Sequence, residues 1–485
     1  MNWRTISRNV GYALLVSALF MFLSVVVSML NGNDSALAAL SISFLITFIS
    51  GIFPFIFVRT TSEITLKEGF VIITLSWLLS FVFGMLPYAL WGGPFTIQNA
   101  WFESVSGFTT TGATILENIE ALPKSLLFWR SSTHFIGGLG VVVFLLLIIP
   151  GSSPIRMRLT NMELSSISRS NYSTRSNKTV FIFAYVYLAL CLAAFVLYVL
   201  AGMPAFDAIC HAMSVCACGG FSTRNLSIGA FGSRWIELVS LVMMLLASLH
   251  FGLLYLAFVN RSLKPLGNPV LKCYLCSLLV FSLMVGISLK TTGSADTLGS
   301  ALWQGTFQTV SVASTTGFAV ADNATWPLFP DYVLMLAAVM CGCAGSTTGG
   351  VKVDRILVLF KTIGRRIANI LHPSSVNEVK LGKRILRDDE VMPQLVYVAL
   401  FFVILAISSF AGLLFGMNDH DAFSASLASL SNVGPASRSL GFMGNYNSIS
   451  WAGKLLCTLD MFLGRLEIYP VLAVVAMVFD GRKRR

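Results

Sequence analysis

Ten stretches of this chain are each apolar for long enough to cross a hydrocarbon core, and they constrain the fold more than any other feature. They lie near residues 10–30, 36–58, 69–91, 126–150, 179–202, 235–259, 270–289, 331–360, 391–416 and 452–479. A bilayer core of about 30 Å takes about 20 helical residues to span. Backbone groups in lipid must be satisfied within their own segment, so these stretches read as helices. Charged residues are 11% of the 485, against the roughly 25% of an ordinary soluble domain. A water-soluble surface cannot be built from that supply. No A-x-A-like cleavage site follows the first apolar run, which therefore reads as a retained helix and not a signal peptide.

The formal charge of +11 does not point to nucleic acid, because the basic residues sit in the short links between apolar blocks. Arg4 and Arg8 precede the first block, Arg59 and Lys67 follow the second, and Arg156, Arg158, Arg169, Arg175 and Lys178 follow the fourth. Arg261, Lys264 and Lys272 follow the sixth, a cluster from Lys361 to Arg387 follows the eighth, and the chain ends Arg482, Lys483, Arg484, Arg485. By the positive-inside rule all these links face the cytoplasm, as do both termini. The remaining links, rich in Gly, Ser and Thr, then dip in from the outer face.

The nine cysteines fall almost entirely inside apolar segments and are odd in number, so a disulfide framework is not expected. Cys273 and Cys276 have C-x-x-C spacing without a second pair, and the five histidines are scattered without ligand spacing. No metal site of the zinc type is expected.

Four of the outer links align without gaps: NAWFESVSGFTTTG (99–112), DAICHAMSVCACGG (207–220), QGTFQTVSVASTTG (304–317) and DAFSASLASLSNVG (421–434). Each reads as a short helix, with Asp207 and Asp421 as N-cap candidates, that breaks at Gly112, Gly220, Gly317 or Gly434. The glycines are 108, 97 and 117 residues apart (220 − 112, 317 − 220, 434 − 317), each about one unit of spanning helix, short helix and spanning helix. The predicted organisation is a two-helix prefix (1–66) and four modules, 67–160, 175–262, 268–372 and 388–485, closing around one axis. A lone T-T-G merely ends a helix in many proteins. Four in register on one membrane face imply a shared pore. Backbone carbonyls turned toward an axis can replace the water stripped from a cation, and glycine tolerates the conformations this needs. Short helices ending there aim their partially negative C-termini at the same centre.

GFTTTGAT, CGGFSTRN, STTGFAVAD and SNVGPASRS, with FIGGLGVVVF, CGCAGSTTGGVKVDRILVLFK and DMFLGRLEIYPVLAV, resemble the bacterial Trk/Ktr potassium-transporter family, related to the plant and fungal HKT and Trk proteins. The likeness covers nearly the whole chain, and the two-helix prefix is similar to the TrkH-type branch. The resemblance implies an all-α polytopic membrane protein of ten spanning helices in the bacterial inner membrane. It implies four helix, pore helix, filter loop, helix repeats around one pseudo-fourfold pore that takes up K⁺. The filter is then formed by the carbonyls of Thr110, Thr111, Gly112 and Ala113; Cys218, Gly219, Gly220 and Phe221; Thr315, Thr316, Gly317 and Phe318; and Asn432, Val433, Gly434 and Pro435. Only the glycine is common to the four loops, which departs from T-V-G-Y-G filters and implies fewer well-formed sites. In HKT relatives a serine at the Gly112 position goes with Na⁺, so glycine here favours K⁺. The resemblance further implies a homodimer and a separate cytosolic nucleotide-binding ring, TrkA-like, docked on the basic loops. The chain itself carries no dinucleotide fingerprint, and no organic cofactor is expected.

The eighth apolar block is interrupted by CGCAGSTTGGVK (341–352). Such an interruption at membrane depth belongs beside a cavity or against protein, so a broken helix is predicted whose loop obstructs the path under the filter. The resemblance makes this loop, with Gly345, Ser346, Thr347, Thr348, Gly349 and Gly350, the gate. GSTTGGVK is not a nucleotide-binding loop, because Val351 separates Gly350 from Lys352 and no strand precedes it. Arg465 lies deep in the last block, where a charge is costly. The resemblance places it in the pore as an electrostatic barrier; the alternative is simple pairing with Glu467 or Asp460. Lys352, Asp354 and Arg355 are either gate ion pairs or the cytoplasmic end of the resumed helix. Glu103 either attracts cations at the mouth or bonds to backbone behind the filter. Gly137, Gly138 and Gly140 read as sites of close helix packing. Two other functions remain in view: a Na⁺-selective or Na⁺- or H⁺-coupled carrier of the same fold, and a membrane enzyme. The enzyme would need convergent His, Asp, Glu or Cys at membrane depth, where the four links supply mostly Gly, Ser and Thr.

Overall fold

A computed structural model describes residues 1–58, 64–148, 176–374, 377–382 and 384–483. Arg59, Arg156, Arg158, Arg169, Arg175, Arg484 and Arg485 lie outside these residues, as does the junction of the first two modules (149–175).

The chain begins with a hairpin of α1 (Trp3–Leu30) and α2 (Leu37–Phe57). The Asn2 side chain caps α1 by accepting from the backbone of Arg4 and Thr5. A Cβ on Gly11 would lie 2.7 Å from the Gly51 carbonyl oxygen, so it is the missing side chains that let the two helices touch.

Four sets of elements follow, each a long helix, a short helix, a turn and a second helix. The first is α3 (Leu66–Gly84) with its continuation α4 (Leu86–Trp91), α5 (Ile97–Phe108) and α6 (Lys124–Ile148). The second is α7 (Ser176–Leu200), α8 (Ala205–Cys216), α9 (Arg234–Ser248) and α10 (Phe251–Val259). The third is α11 (Pro269–Thr291), α12 (Leu298–Ala313), α13 (Leu328–Met340) and α14 (Val353–Leu371). The fourth is α15 (Asp388–Leu414), α16 (Asp419–Ser431), α17 (Trp451–Arg465) and α18 (Tyr469–Lys483). Between the last two sets a small antiparallel hairpin, β1 (Val379–Leu381) and β2 (Arg384–Leu386), pairs Val379 with Leu386. It covers Val358 and Val391, and nothing in the apolar pattern foretold it.

Among the described residues six helices are long and apolar enough to cross a membrane unbroken. The other four apolar blocks each contain a break, in the second helix of every set, where only the third was expected. In α6 it falls at Gly140 (φ 67°, ψ 168°), a conformation open to glycine that bends the helix. Between α9 and α10 the axis turns by 101°. There the Ser248 carbonyl accepts from Cys343 N (3.0 Å), and the His250 ring caps the next helix by accepting from Gly252 N (3.0 Å). In the third set residues 341–352 interrupt the helix, and in the fourth Glu467 and Ile468 take positive φ (54° and 60°).

The outer faces carry large exposed apolar side chains, such as Leu45, Phe53, Leu192, Leu279 and Phe410, while Glu103, Arg130, His134, His211, Lys352 and Glu467 are buried. This inverts a soluble fold. Lipid solvates the apolar exterior, and the polar groups must find partners within the protein.

Candidate functional site

The short helices begin earlier than the aligned segments did. Asp207 and Asp421 lie in the first turn rather than at the N-cap, positions held by Pro204 and Asn418. Asp207 instead accepts from Thr223 Oγ1 (2.6 Å) and Arg224 Nη2 (2.8 Å), tying the start of α8 to the chain beyond its turn.

All four helices end in the same way. Thr110, Cys218, Thr315 and Asn432, each two residues before the aligned glycine, all have φ of 55°. The left-handed region costs a side-chain-bearing residue about 1–2 kcal/mol, and the same two backbone bonds hold it there each time. One joins that residue's own N–H to the carbonyl three before it: Thr110 to Gly107, Cys218 to Val215, Thr315 to Val312, Asn432 to Ser429 (2.9–3.1 Å). The next N–H reaches five back: Thr111 to Ser106, Gly219 to Ser214, Thr316 to Ser311, Val433 to Ala428 (each 2.9 Å). Gly112, Gly317 and Gly434 then take φ of 82°, 75° and 85°; Gly220 does not enter that region.

These turns close into a ring. A Cβ on Gly112 would fall 2.6 Å from Gly220 N, one on Gly220 2.7 Å from Thr316 O, and one on Gly317 2.6 Å from Val433 O; one on Gly434 would collide with Thr111 O. Each turn thus leans on the next, the fourth returning to the first. Gly112, Gly220, Gly317 and Gly434 together line one cavity of about 150 Å³, whose wall continues through Ala113, Phe221, Pro435 and Arg130.

A second layer holds the ring from behind. Ser106, Ser214 and Ser311 donate to the carbonyls of Ala113 (2.6 Å), Phe221 (2.8 Å) and Phe318 (2.6 Å); the fourth set has Ala428 there and lacks the bond. With its hydroxyl proton on Phe221 O, Ser214 accepts from His134 Nδ1 (2.9 Å), whose ring stacks on Phe221 at 4.1 Å. Glu103 is buried and accepts from Arg130 Nε (2.8 Å), Thr114 Oγ1 (3.0 Å) and Ile115 N (3.2 Å). Arg130 also donates to Ser222 O (3.2 Å) and lies 4.0 Å over the Phe221 ring. Glu103 therefore braces the chain behind the turns, and its arginine, 27 residues on, went unnoticed in the sequence. Gly137 and Gly138 do allow close approach: side chains there would strike Phe108 O and Ala217.

The interrupting loop of the third set lies against the second, third and fourth turns. Cys341, Gly345, Gly350 and Lys352 have positive φ (49°, 83°, 68° and 74°), which folds the loop tightly. Thr347 Oγ1 donates to Cys216 O (3.1 Å) and meets Cys218 Sγ (3.0 Å). Gly349 N donates to Thr315 Oγ1 (3.3 Å), and a Cβ on Gly349 would fall 2.9 Å from Asn432. Ser346 and Thr348 hydroxyls share a bond (2.7 Å), stiffening the loop. Arg465 Nη1 donates to Thr347 O (2.9 Å) and Nη2 to Gly137 O (2.5 Å), which links the loop to the first set.

Beneath it, Glu467 accepts from both Lys352 Nζ and Arg355 Nη2 (2.6 Å each), while Asp354 accepts from Ala344 N (2.6 Å). Arg355 also donates to Gln394 Oε1 (3.0 Å) and lies 3.8 Å over Tyr397. Lys352 and Arg355 are thus buried ion-pair partners across the broken helices, and Asp460 bonds Ser408 (2.6 Å).

Residues 38–482 match the model of the TrkH family, described as cation transport protein. The Trk system potassium uptake protein TrkH of Salmonella typhimurium is 33% identical over 483 residues, covering 99% of each chain. The TrkH of Halomonas elongata is 34% identical over 490 residues, again with 99% of each covered. The crystal structure of the potassium transporter TrkH from Vibrio parahaemolyticus superposes with a TM-score of 0.86 at 31% identity, covering 97% of this chain and 98% of that one. With its apolar exterior and its ring of glycine turns, the chain belongs to the TrkH family of cation transport proteins.

Proposed function

We propose that this protein takes up K⁺ through the ring of turns, its carbonyl oxygens standing in for the ion's hydration shell. The observation that carries this reading is the closed ring, in which Gly112, Gly220, Gly317 and Gly434 face one cavity and each abuts the next turn. The carbonyls of Thr110 to Gly112, Cys218 to Gly220, Thr315 to Gly317 and Asn432 to Gly434 are the proposed ligands. Ala113, Phe221 and Phe318 form the outer rim, since a serine already occupies each of their carbonyls; Pro435 is its fourth member. A preformed ring avoids the reorganisation that a flexible one would need to grip a small ion.

The loop of Gly345, Ser346, Thr347, Thr348, Gly349 and Gly350 is the proposed gate, and Arg465 its latch and electrostatic barrier. Their contacts with the second, third and fourth turns, and the bond from Arg465 to Gly137 of the first set, support a closed conformation. Lys352, bonded to Glu467, anchors the loop's far end. The modules are taken as 67–160, 175–262, 268–372 and 388–485 after the prefix, in a bacterial inner membrane with both termini cytoplasmic. Relatives named for a Trk system support an associated subunit, proposed as a cytosolic nucleotide-binding ring, with the membrane subunit a homodimer.

Uptake of K⁺ by a K⁺-transport-deficient cell expressing the protein tests this reading. Growth at low K⁺ is expected with the intact chain and not with Gly434→Ala; equal growth without the protein overturns it.

A further inference from the structure

Away from the ring, at the outer edge where the first and fourth sets meet, lies an apolar cleft of about 200 Å³ lined by Met85, Ile97, Gln98, Trp101, Trp451, Lys454 and Leu455. Its lining includes first-turn residues of two helices, Ile97 and Gln98 of α5 and Trp451 of α17. Both helices therefore present partially positive ends there. Lys454, one turn into α17, is buried although no carboxylate among the described residues holds it. Its ammonium donates to Asn99 Oδ1 (2.9 Å) and to Asn447 O (3.0 Å). An ammonium has three N–H groups, and the third finds no acceptor among the described residues. The charge of the site is thus positive and incompletely satisfied.

The cleft opens on apolar surface. Ile97 is 73% exposed and Trp451 54%, and two turns further along α17 Leu459 is 59% exposed. Phe81 packs edge-on against both Trp101 (6.0 Å) and Phe462 (5.6 Å), which sets α3 beside α17, and Val82 on α3 is exposed as well. A soluble anion has no use for such walls. An alkyl chain alone has no use for the lysine.

We propose that this cleft binds an anionic phospholipid, the phosphate on Lys454 and the two helix starts and one acyl chain between Trp101 and Leu455. Trp451 and Trp101 supply the amphipathic indole rings that membrane proteins favour where headgroups meet chains. By joining α5 to α17, the lipid would brace the short helix that ends at Thr110 against the helix that ends at Arg465.

The test uses the full-length protein in liposomes of phosphatidylcholine doped with phosphatidylglycerol carrying a photoreactive acyl chain, with labelled peptides mapped by mass spectrometry. Label is expected on the peptides holding Met85, Trp101 or Leu455. Lys454→Gln should lower it about fivefold, the weight of one basic contact, and Lys454→Arg should restore it. Leu455→Trp, which fills the cleft, should abolish it. A phosphatidylcholine probe should label the cleft less than the phosphatidylglycerol probe. The proposal is overturned by label elsewhere only, by equal labelling with the two headgroups, by competition from excess inorganic phosphate, or by protein–protein crosslinks in place of lipid adducts. Label unchanged in a monodisperse Lys454→Gln protein overturns it too.

Discussion

Arg465 donates to the carbonyl oxygen of Thr347 at 2.9 Å, so the end of α17 in the fourth set holds the interrupting loop of the third. Its second bond, to Gly137 O, anchors the same guanidinium on the first set. Arg465→Ala removes both bonds and the positive charge from the path. Hydrogen bonds from charged groups are worth about 1.5–3 kcal/mol each, so the closed loop should lose at least about tenfold in population. K⁺ flux into liposomes should rise, whereas Arg465→Lys, which keeps the charge, should lie between.

Glu467 pairs with Lys352 and Arg355 at once, one oxygen to each. Glu467→Gln leaves two buried cations facing one neutral amide, a change of about 3–5 kcal/mol when a buried pair is broken. A clear fall in thermal unfolding temperature is expected. Adding Lys352→Met, which removes one of the two cations and returns the trio to its original net charge, should recover part of it, which a double-mutant cycle measures directly.

Ser106, Ser214 and Ser311 each hold the carbonyl just past a ring glycine. Replacing any one with alanine should cost about 1 kcal/mol and loosen the outer rim. Ser214→Ala also removes the acceptor of His134 and should be the most damaging of the three. K⁺ over Na⁺ flux ratios across the set give the ranking.

Gly434→Ala should be tolerated worse than Gly220→Ala. Gly434 combines a φ of 85° with a Cβ position that collides with Thr111 O, whereas Gly220 has only the crowding. Expression of correctly assembled protein and K⁺ uptake are the two readouts.

The ring was legible because a glycine with hydropathy-defined neighbours recurs four times at nearly one interval. The loop at 341–352 was legible because polar, glycine-rich sequence inside an apolar block has few places to go. Other features left no such mark. Thr110, Cys218 and Thr315 adopt left-handed backbone that their side chains disfavour, and only the surrounding helix ends impose it. The break at Leu249 and His250 contains neither Gly nor Pro; there the distant Cys343 donates its N–H to the Ser248 carbonyl in place of a helical partner. The partner of Glu103 was hidden because Arg130 stands inside an apolar block, where a lone charge gives no hint of which helix it faces. Likewise Glu467 was read as a candidate for Arg465, whereas the break after α17, where Glu467 itself takes positive φ, turns it toward Lys352 and Arg355.

In the proposed pore, unadorned peptide oxygens kept in a ring by glycine choose the ion. Gly112→Ser tests it most directly, because its Cβ would fall 2.6 Å from Gly220 N and must push the first two turns apart. The measurement is the ratio of K⁺ to Na⁺ flux in liposomes containing the intact protein or this variant. A lower ratio with flux still present is the predicted result; a ratio equal to that of the intact protein contradicts the account.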